Sequence, residues 1–268
     1  MTTDTKTIHE FLAENPDVDV SRTWKRCWDI LSGVKDRITD KFEVERHPSC
    51  AEREYYTSPS GEFEGSLNTF TGPKMDWLVH SWLGNRQASI LDMNATAFLG
   101  QDTRVPHLIL VFGTIPRVFF YADYTPRVDL RTNEDYLKRY YEPCNESFLK
   151  LRGDERFTWS VSHGTYMRAL LSPVCQSLTA ETSDDVLDTL EAYVDQFVGR
   201  WLTWVDEAEP VAEDEKAELQ KYDHKVRELG YKLDPMNSLA EKVFGEGQVE
   251  KMIDMRMGKP QMDATRRY

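Results

Sequence analysis

The chain has no long hydrophobic run, no paired cysteines and no surplus of positive charge, and each absence removes a class of function. In 268 residues no apolar stretch approaches the length that crosses a bilayer as a helix. Cys27, Cys50, Cys144 and Cys175 stand far apart with no C-x-x-C pair. The histidines, His9, His47, His80, His107, His163 and His224, are equally dispersed. Zinc and iron–sulfur ligation need such residues at short spacing, so no metal site is expected and the cysteines read as buried free thiols. With 33 basic against 46 acidic residues the formal net charge is −13. That charge repels nucleic acid and anionic membrane surfaces. No G-x-G-x-x-G, P-loop, G-x-S-x-G or H-E-x-x-H is present, so the usual cradles and nucleophiles of short-motif enzymes are missing. The N-terminus has neither a basic n-region with an apolar h-region nor the Arg- and Ser-rich composition of a transit peptide, and a cytoplasmic protein is expected. A small-molecule ligand is the partner these exclusions favour, with a homodimer left open.

What is present is a core-forming composition, 40% apolar and 12% aromatic. Residues 1–268 read as one domain, with 1–20 as a lead-in and 258–268 as a mobile polar tail. Ser21 to Phe42 carries Trp24, Trp28, Leu31 and Ile38 at helical intervals, so a helix lays one apolar stripe on the core. Ser58-Pro59-Ser60-Gly61 marks a hairpin turn. Met75 to Glu142 then supplies four strand-like runs with short connections, which imply antiparallel neighbours. Asn133 with Glu134 and Asp135 starts a helix, residues 157–180 read as β again, and Ser183-Asp184-Asp185 opens the clearest helix of the chain. Helices between and after strands predict a three-layer α/β/α sandwich around a central antiparallel sheet. Asp76, His80, Asp92, Asn94, His107 and Asp123 interrupt the apolar strands, and polar groups on a sheet face must be solvated, paired or turned into a pocket.

An ordered series of segments carries a family likeness: YYTSPSGEFEGSL at 55–67, DWLVHSWLG at 76–84, LDMNATAFLG at 91–100, VPHLIL at 105–110, PRVDL at 126–130, DYLKRYYE at 135–142, MRALLSP at 167–173, VAEDEKAELQKYD at 211–223 and KVFG at 242–245. In this series the chain resembles red chlorophyll catabolite reductase, a relative of the ferredoxin-dependent bilin reductases. The resemblance implies a cleft between the sheet and the C-terminal helices, a linear tetrapyrrole or similar conjugated molecule as substrate, no bound cofactor, and reduced ferredoxin as electron donor. Of the family's two acidic residues, one maps onto Asp234 in KLDPMN. The other, a glutamate in the strand after the Pro of VPHLIL, is replaced by Val111. A Gly-Ser-Trp-Leu-His pattern reads here His80-Ser81-Trp82-Leu83-Gly84. The candidate proton donors are therefore Asp234, His107 and His80, and the candidate substrate-binding residues are Val111, Asp92, Asn94 and Trp82. An acidic ferredoxin needs a basic face, and Arg104, Arg117, Arg127, Arg131, Lys138 and Arg139 are the nearest approach to one, interleaved with acids. Two rival readings keep the fold: a biosynthetic enzyme for another hydrophobic substrate without external electrons, and a ligand-binding protein without turnover.

Overall fold

The structure is a computed structural model and describes residues 21–85, 90–115, 117–162 and 164–265. The expected lead-in 1–20 and the last tail residues, 266–268, lie outside the described residues. Helix α1 (Ser21–Lys41) is followed by a short β1 (Glu45–Arg46), a 3-10 turn (Pro48–Arg53) and β2 (Tyr56–Thr57). Four long strands form the centre of the sheet with β3 (Glu64–Gly72): β4 (Met75–Asn85), β5 (Ile90–Leu99), β6 (His107–Ile115) and β7 (Arg117–Thr125). Next come α2 (Glu134–Tyr140), α3 (Asn145–Arg152), β8 (Thr158–Trp159), α4 (Thr165–Leu170), β9 (Gln176–Ala180) and the long α5 (Asp184–Asp206). The chain ends in α6 (Glu213–Lys232), α7 (Asn237–Phe244), α8 (Glu246–Arg256) and α9 (Lys259–Thr265). No described helix is long and apolar enough to cross a membrane.

All strand pairs are antiparallel, in the order β1-β3-β4-β5-β6-β7-β9-β8, with β2 also on β3. The short connections between β3 and β7 give this meander directly. Helices cover both faces, so the architecture is the expected α/β/α sandwich.

The two faces differ in how they are closed. On one, Leu91, Met93, Ala95 and Ala97 of β5, Leu108, Leu110 and Phe112 of β6, and Phe120, Ala122 and Tyr124 of β7 are all but removed from water. They join Leu31, Val34 and Ile38 of α1 and Leu190, Val194, Phe197 and Trp201 of α5 in one cluster. Burial of that apolar area is the main stabilising term of the fold. Alternate residues of the same strands, Asp92, Ile109, Val111, Phe119 and Tyr121, face the opposite side and are only half-buried. There α6 and α8 cover the sheet edge through Trp77, whose indole N–H donates to Met255 O at 2.8 Å, and through a small cluster of Trp77, Val79, Phe98 and Tyr231. The middle of this face is left open.

Three expectations need correction. Residues 157–180 are not continuous β: only β8 and β9 are strands, with α4 between them, because MRAL lies in a six-residue helix that packs beside α6. The tail is not loose from residue 258, since α9 runs over Lys259–Thr265 and buries Met262. Ser183 and Asn133 precede their helices as expected, but neither side chain makes the capping bond. The Asn133 amide instead donates to Asp129 O.

Candidate functional site

The open sheet face is built by register. Asp92 pairs with Leu83 on β4 and Gly113 on β6, and Asn94 pairs with Ser81 and Val111. Val111 pairs in turn with Tyr121, and Tyr121 with Ser177 of β9. Directly paired residues share a face, so Asp92, Asn94, Val111 and Tyr121 line one floor.

The roof comes from the C-terminal helices. Arg256, in the last turn of α8, reaches down so that Nη2 lies 3.5 Å from Asp92 Oδ2 and 3.4 Å from Ser81 Oγ. The Asp92 side chain keeps 40% exposure although protein surrounds it, as expected of a residue lining a recess. Burial raises its pKa above the ordinary carboxyl value, with Arg256 opposing. Asp234 lies in the turn between α6 and α7, where Oδ1 accepts the Met236 amide at 2.9 Å, an Asx-type bond that fixes the loop before Pro235. Burial also raises the Asp234 pKa, the Met236 amide counteracts it, and the negative charge of Asp92 adds to the rise. The two carboxyls thus sense one another across the recess beside Arg256. Tyr231 stands among them, its own pKa raised by burial and influenced by Arg256, Thr96 and Asp234. Gly164 packs against this turn: a Cβ there would lie 3.1 Å from Pro235 Cδ.

Several sequence-predicted residues fall elsewhere. His80 points to the opposite face, stacked on Trp28 with centroids 4.1 Å apart and its Nε2 3.5 Å from Ser32 Oγ. Trp82 is on that same closed face, edge-on to Trp24 at 5.6 Å. The period of two along β4 puts both beneath α1, away from Asp92. Trp24 and Trp28 cover the sheet, as their spacing predicts. His107 is at the end of the open face but sealed, 2% exposed, with Nδ1 accepting the Leu99 amide at 3.1 Å. Burial lowers its pKa to about 4, with Asp223 opposing and Arg127 assisting. The sheet therefore divides His80 from Asp234, and of the three candidate donors only Asp234 stands at the recess.

Sequence reasoning missed Arg256, Tyr231 and the pairing of Tyr121 with Asp123. Asp123 and Tyr121 were legible as alternate residues of one strand, but nothing local marks Arg256, which reaches Asp92 only through the fold. The cations read from the sequence as interleaved with acids lie in that mixed setting. Arg104, Arg117, Arg127, Arg131, Lys138 and Arg139 are each paired with an acid: Glu215, Glu181, Asp223, Asp129, Glu134 and Glu209.

Comparison with known proteins places this architecture. Residues 26–257 match the family model of red chlorophyll catabolite reductase (RCC reductase). The chloroplastic red chlorophyll catabolite reductase of Arabidopsis thaliana is 26% identical over 251 residues, covering 85% of this chain and 77% of that protein. The crystal structure of phytochromobilin synthase from tomato, in complex with biliverdin, superposes with a TM-score of 0.76 over 86% of this chain and 82% of that one at 16% identity, a likeness of fold. The cytoplasmic placement expected from the N-terminal composition does not stand, because the Arabidopsis relative is chloroplastic and the charge of a few leading residues does not decide a compartment. With residues 26–257 matched to the family's model, the chain is an oxidoreductase that belongs to the red chlorophyll catabolite reductase family.

Proposed function

We propose that the protein reduces an open-chain tetrapyrrole in the recess between the sheet and α8, with single electrons from reduced ferredoxin and protons from Asp234 and Asp92. The observation that carries this reading is the pair of carboxyls with raised pKa facing one half-open sheet floor beside Arg256. A conjugated chromophore that accepts an electron becomes basic and needs a proton donor within reach. A carboxyl whose pKa is raised by burial holds its proton closer to neutral pH and can deliver it. Arg256 balances whichever carboxylate is left and orients Asp92. Val111, Phe119 and Ile109 give the apolar floor that a conjugated open-chain pigment requires. The Arabidopsis relative is named for a chlorophyll catabolite and the tomato structure holds biliverdin, which supports the substrate class.

One observation favours a second reading. Val111 occupies the centre of the floor, between Asn94 and Tyr121, where the family resemblance calls for a glutamate. An enzyme using the recess for another hydrophobic substrate, without an external donor, is consistent with that loss.

A visible-absorption titration with biliverdin and with a red chlorophyll catabolite, followed by anaerobic addition of reduced ferredoxin, separates the readings. A saturable shift that bleaches with electrons is the expected result. A shift that persists unchanged means a carrier, and no shift at all moves the search to non-tetrapyrrole substrates.

A further inference from the structure

Beyond the carboxyls beside Arg256, the same floor carries a second polar group that faces the recess from the β7 side. Tyr121 stands between Val111 and Ser177 on the open face, half-buried. Its hydroxyl lies 3.4 Å from Asp123 Oδ2, two residues along the same strand and so on the same face. Asp123 itself is sealed, 1% exposed. Ser172, in the loop before β9, closes over it: the Ser172 hydroxyl donates to Oδ1 at 2.5 Å and the Ser172 amide to Oδ2 at 3.2 Å. The Tyr121 hydroxyl is the partner that joins this deep carboxyl to the open face.

We propose that Tyr121 is a second proton donor to the substrate and that Asp123 recharges it. The proposal rests on the tetrapyrrole-reductase reading. After the substrate takes one electron from ferredoxin, the Tyr121 O–H bond breaks and its proton forms a new bond on the substrate anion. The Asp123 O–H bond breaks in the same step and its proton passes to the phenolic oxygen. Tyr121 ends as it began, Asp123 ends as a carboxylate, and the substrate has gained one electron and one proton. Water later returns a proton to Asp123.

The surroundings suit a carboxyl that changes charge. Burial raises the Asp123 pKa to about 6, the Ser172 and Tyr124 donors restraining the rise. Both forms are therefore populated near neutral pH, which a general acid needs. The Tyr121 pKa is driven up by burial and by Asp123, so a free phenolate does not persist and transfer through Tyr121 must be coupled to Asp123. The other titratable groups that sense this carboxyl electrostatically are Cys175, Tyr141 and Tyr193. Burial raises all three, so they stay uncharged as Asp123 titrates. Tyr141 and Tyr193 also have settled partners, Tyr124 O and the Gln176 amide.

The test is single-turnover reduction of bound biliverdin by reduced ferredoxin under anaerobic conditions, with the wild type, Tyr121→Phe, Asp123→Asn and Ser172→Ala. Tyr121→Phe should bind biliverdin as the wild type does, by the titrated spectral shift, and bleach it about a hundredfold more slowly. The wild-type rate should break near pH 6. Asp123→Asn should lose that break. Should the amide prevent folding, Ser172→Ala keeps the carboxyl, removes its strongest donor, and should move the break to higher pH. A Tyr121→Phe rate within about twofold of wild type, or an unmoved pH break in Ser172→Ala, overturns the relay while leaving the reductase reading intact. A wild type that neither binds nor bleaches biliverdin overturns both.

Discussion

Arg127 and Asp223 form an ion pair closed off from water, Nη2 to Oδ2 2.6 Å, with side-chain exposures of 0% and 4%. The remaining guanidinium donors reach Thr103 O and Gly100 O, in the loop after β5. His107 Nε2 lies 3.4 Å from the other Asp223 oxygen. Arg127 therefore ties the ends of β5 and β7 to α6, and α6 leads into the loop that carries Asp234. Removing one partner leaves an uncompensated buried charge. Asp223→Ala should cost about 3–5 kcal/mol of unfolding free energy. A urea midpoint that stays at the wild-type value would show that the pair is not sealed.

The ion pairs between α1 and α5 should behave differently. Arg22 meets Asp184, Arg26 meets Asp188 and Glu191, and Arg37 meets Asp195, all with substantially exposed acids. Exposed pairs are screened and spend side-chain entropy. Arg37→Ala should change stability by less than about 1 kcal/mol. A larger loss on thermal or urea unfolding would mean that the row acts cooperatively.

His80 and His107 predict a loss of stability in acid. Burial lowers each to about 4 from the ordinary value of 6.5. Between those pH values the unfolded chain binds protons that the folded one refuses, so this contribution is complete above about 6.5 and lost as pH falls towards 4. Each histidine accounts for about 3 kcal/mol at most. Asp123 has the opposite sign. Its folded pKa of about 6 exceeds its unfolded value, so its contribution declines as pH rises from about 4 to about 6. Unfolding midpoints at pH 7 and pH 5 should show a net loss on acidification, reduced in His80→Gln. Identical midpoints at both pH values would refute the buried neutral histidines.

Asp234→Asn and Asp92→Asn each remove a proton while preserving shape. Turnover should fall by about a hundredfold in either variant, with biliverdin binding retained. Arg256→Gln should lower the affinity for its anionic neighbours and weaken the pH dependence shared by the two carboxyls. Untouched turnover in Asp234→Asn would remove that residue from the mechanism.

Val111→Glu tests the departure at the centre of the floor. The half-buried position, flanked by Asn94 and Tyr121, can hold a glutamate whose pKa burial would raise. Tetrapyrrole reduction should increase, by about tenfold where proton delivery limits the rate. No gain, with binding unchanged, would favour a substrate that does not need an acid there.

Much of the scaffold was readable from period alone. The stripe of Trp24, Trp28, Leu31 and Ile38 gave α1 and its contact with the sheet, and short Gly- and Pro-marked connections gave the meander. The site was less legible, for physical reasons. His80 and Asp92 look alike in a sequence, as polar residues in apolar strands, but which face each takes depends on the pairing register of β4 and β5. His107 looks like a donor until its Nδ1 is seen to accept the Leu99 amide. Asp234 and Arg256 are 22 residues apart across two helices and a glycine-led turn, and no local pattern records that Arg256 reaches Asp92 or that Asp234 senses its charge. MRAL at 167–170 has no strong signature for strand or helix, and contact with α6 decides it.

The alternation in β5 has a consequence for how this family can change. Asp92, Asn94 and Thr96 face the recess, while Met93, Ala95 and Ala97 between them hold the core against α1. On the proposed function, substrate chemistry and structural integrity are thus written on alternate letters of one ten-residue word. Point substitutions can rewrite the first set and leave the second untouched, so new specificities are reachable one residue at a time. A single inserted or deleted residue in that strand would exchange the two sets, pressing a carboxylate, an amide and a hydroxyl into the core and lining the recess with methionine and alanine. Divergence in β5 should therefore run through replacements, with changes of length confined to its two ends.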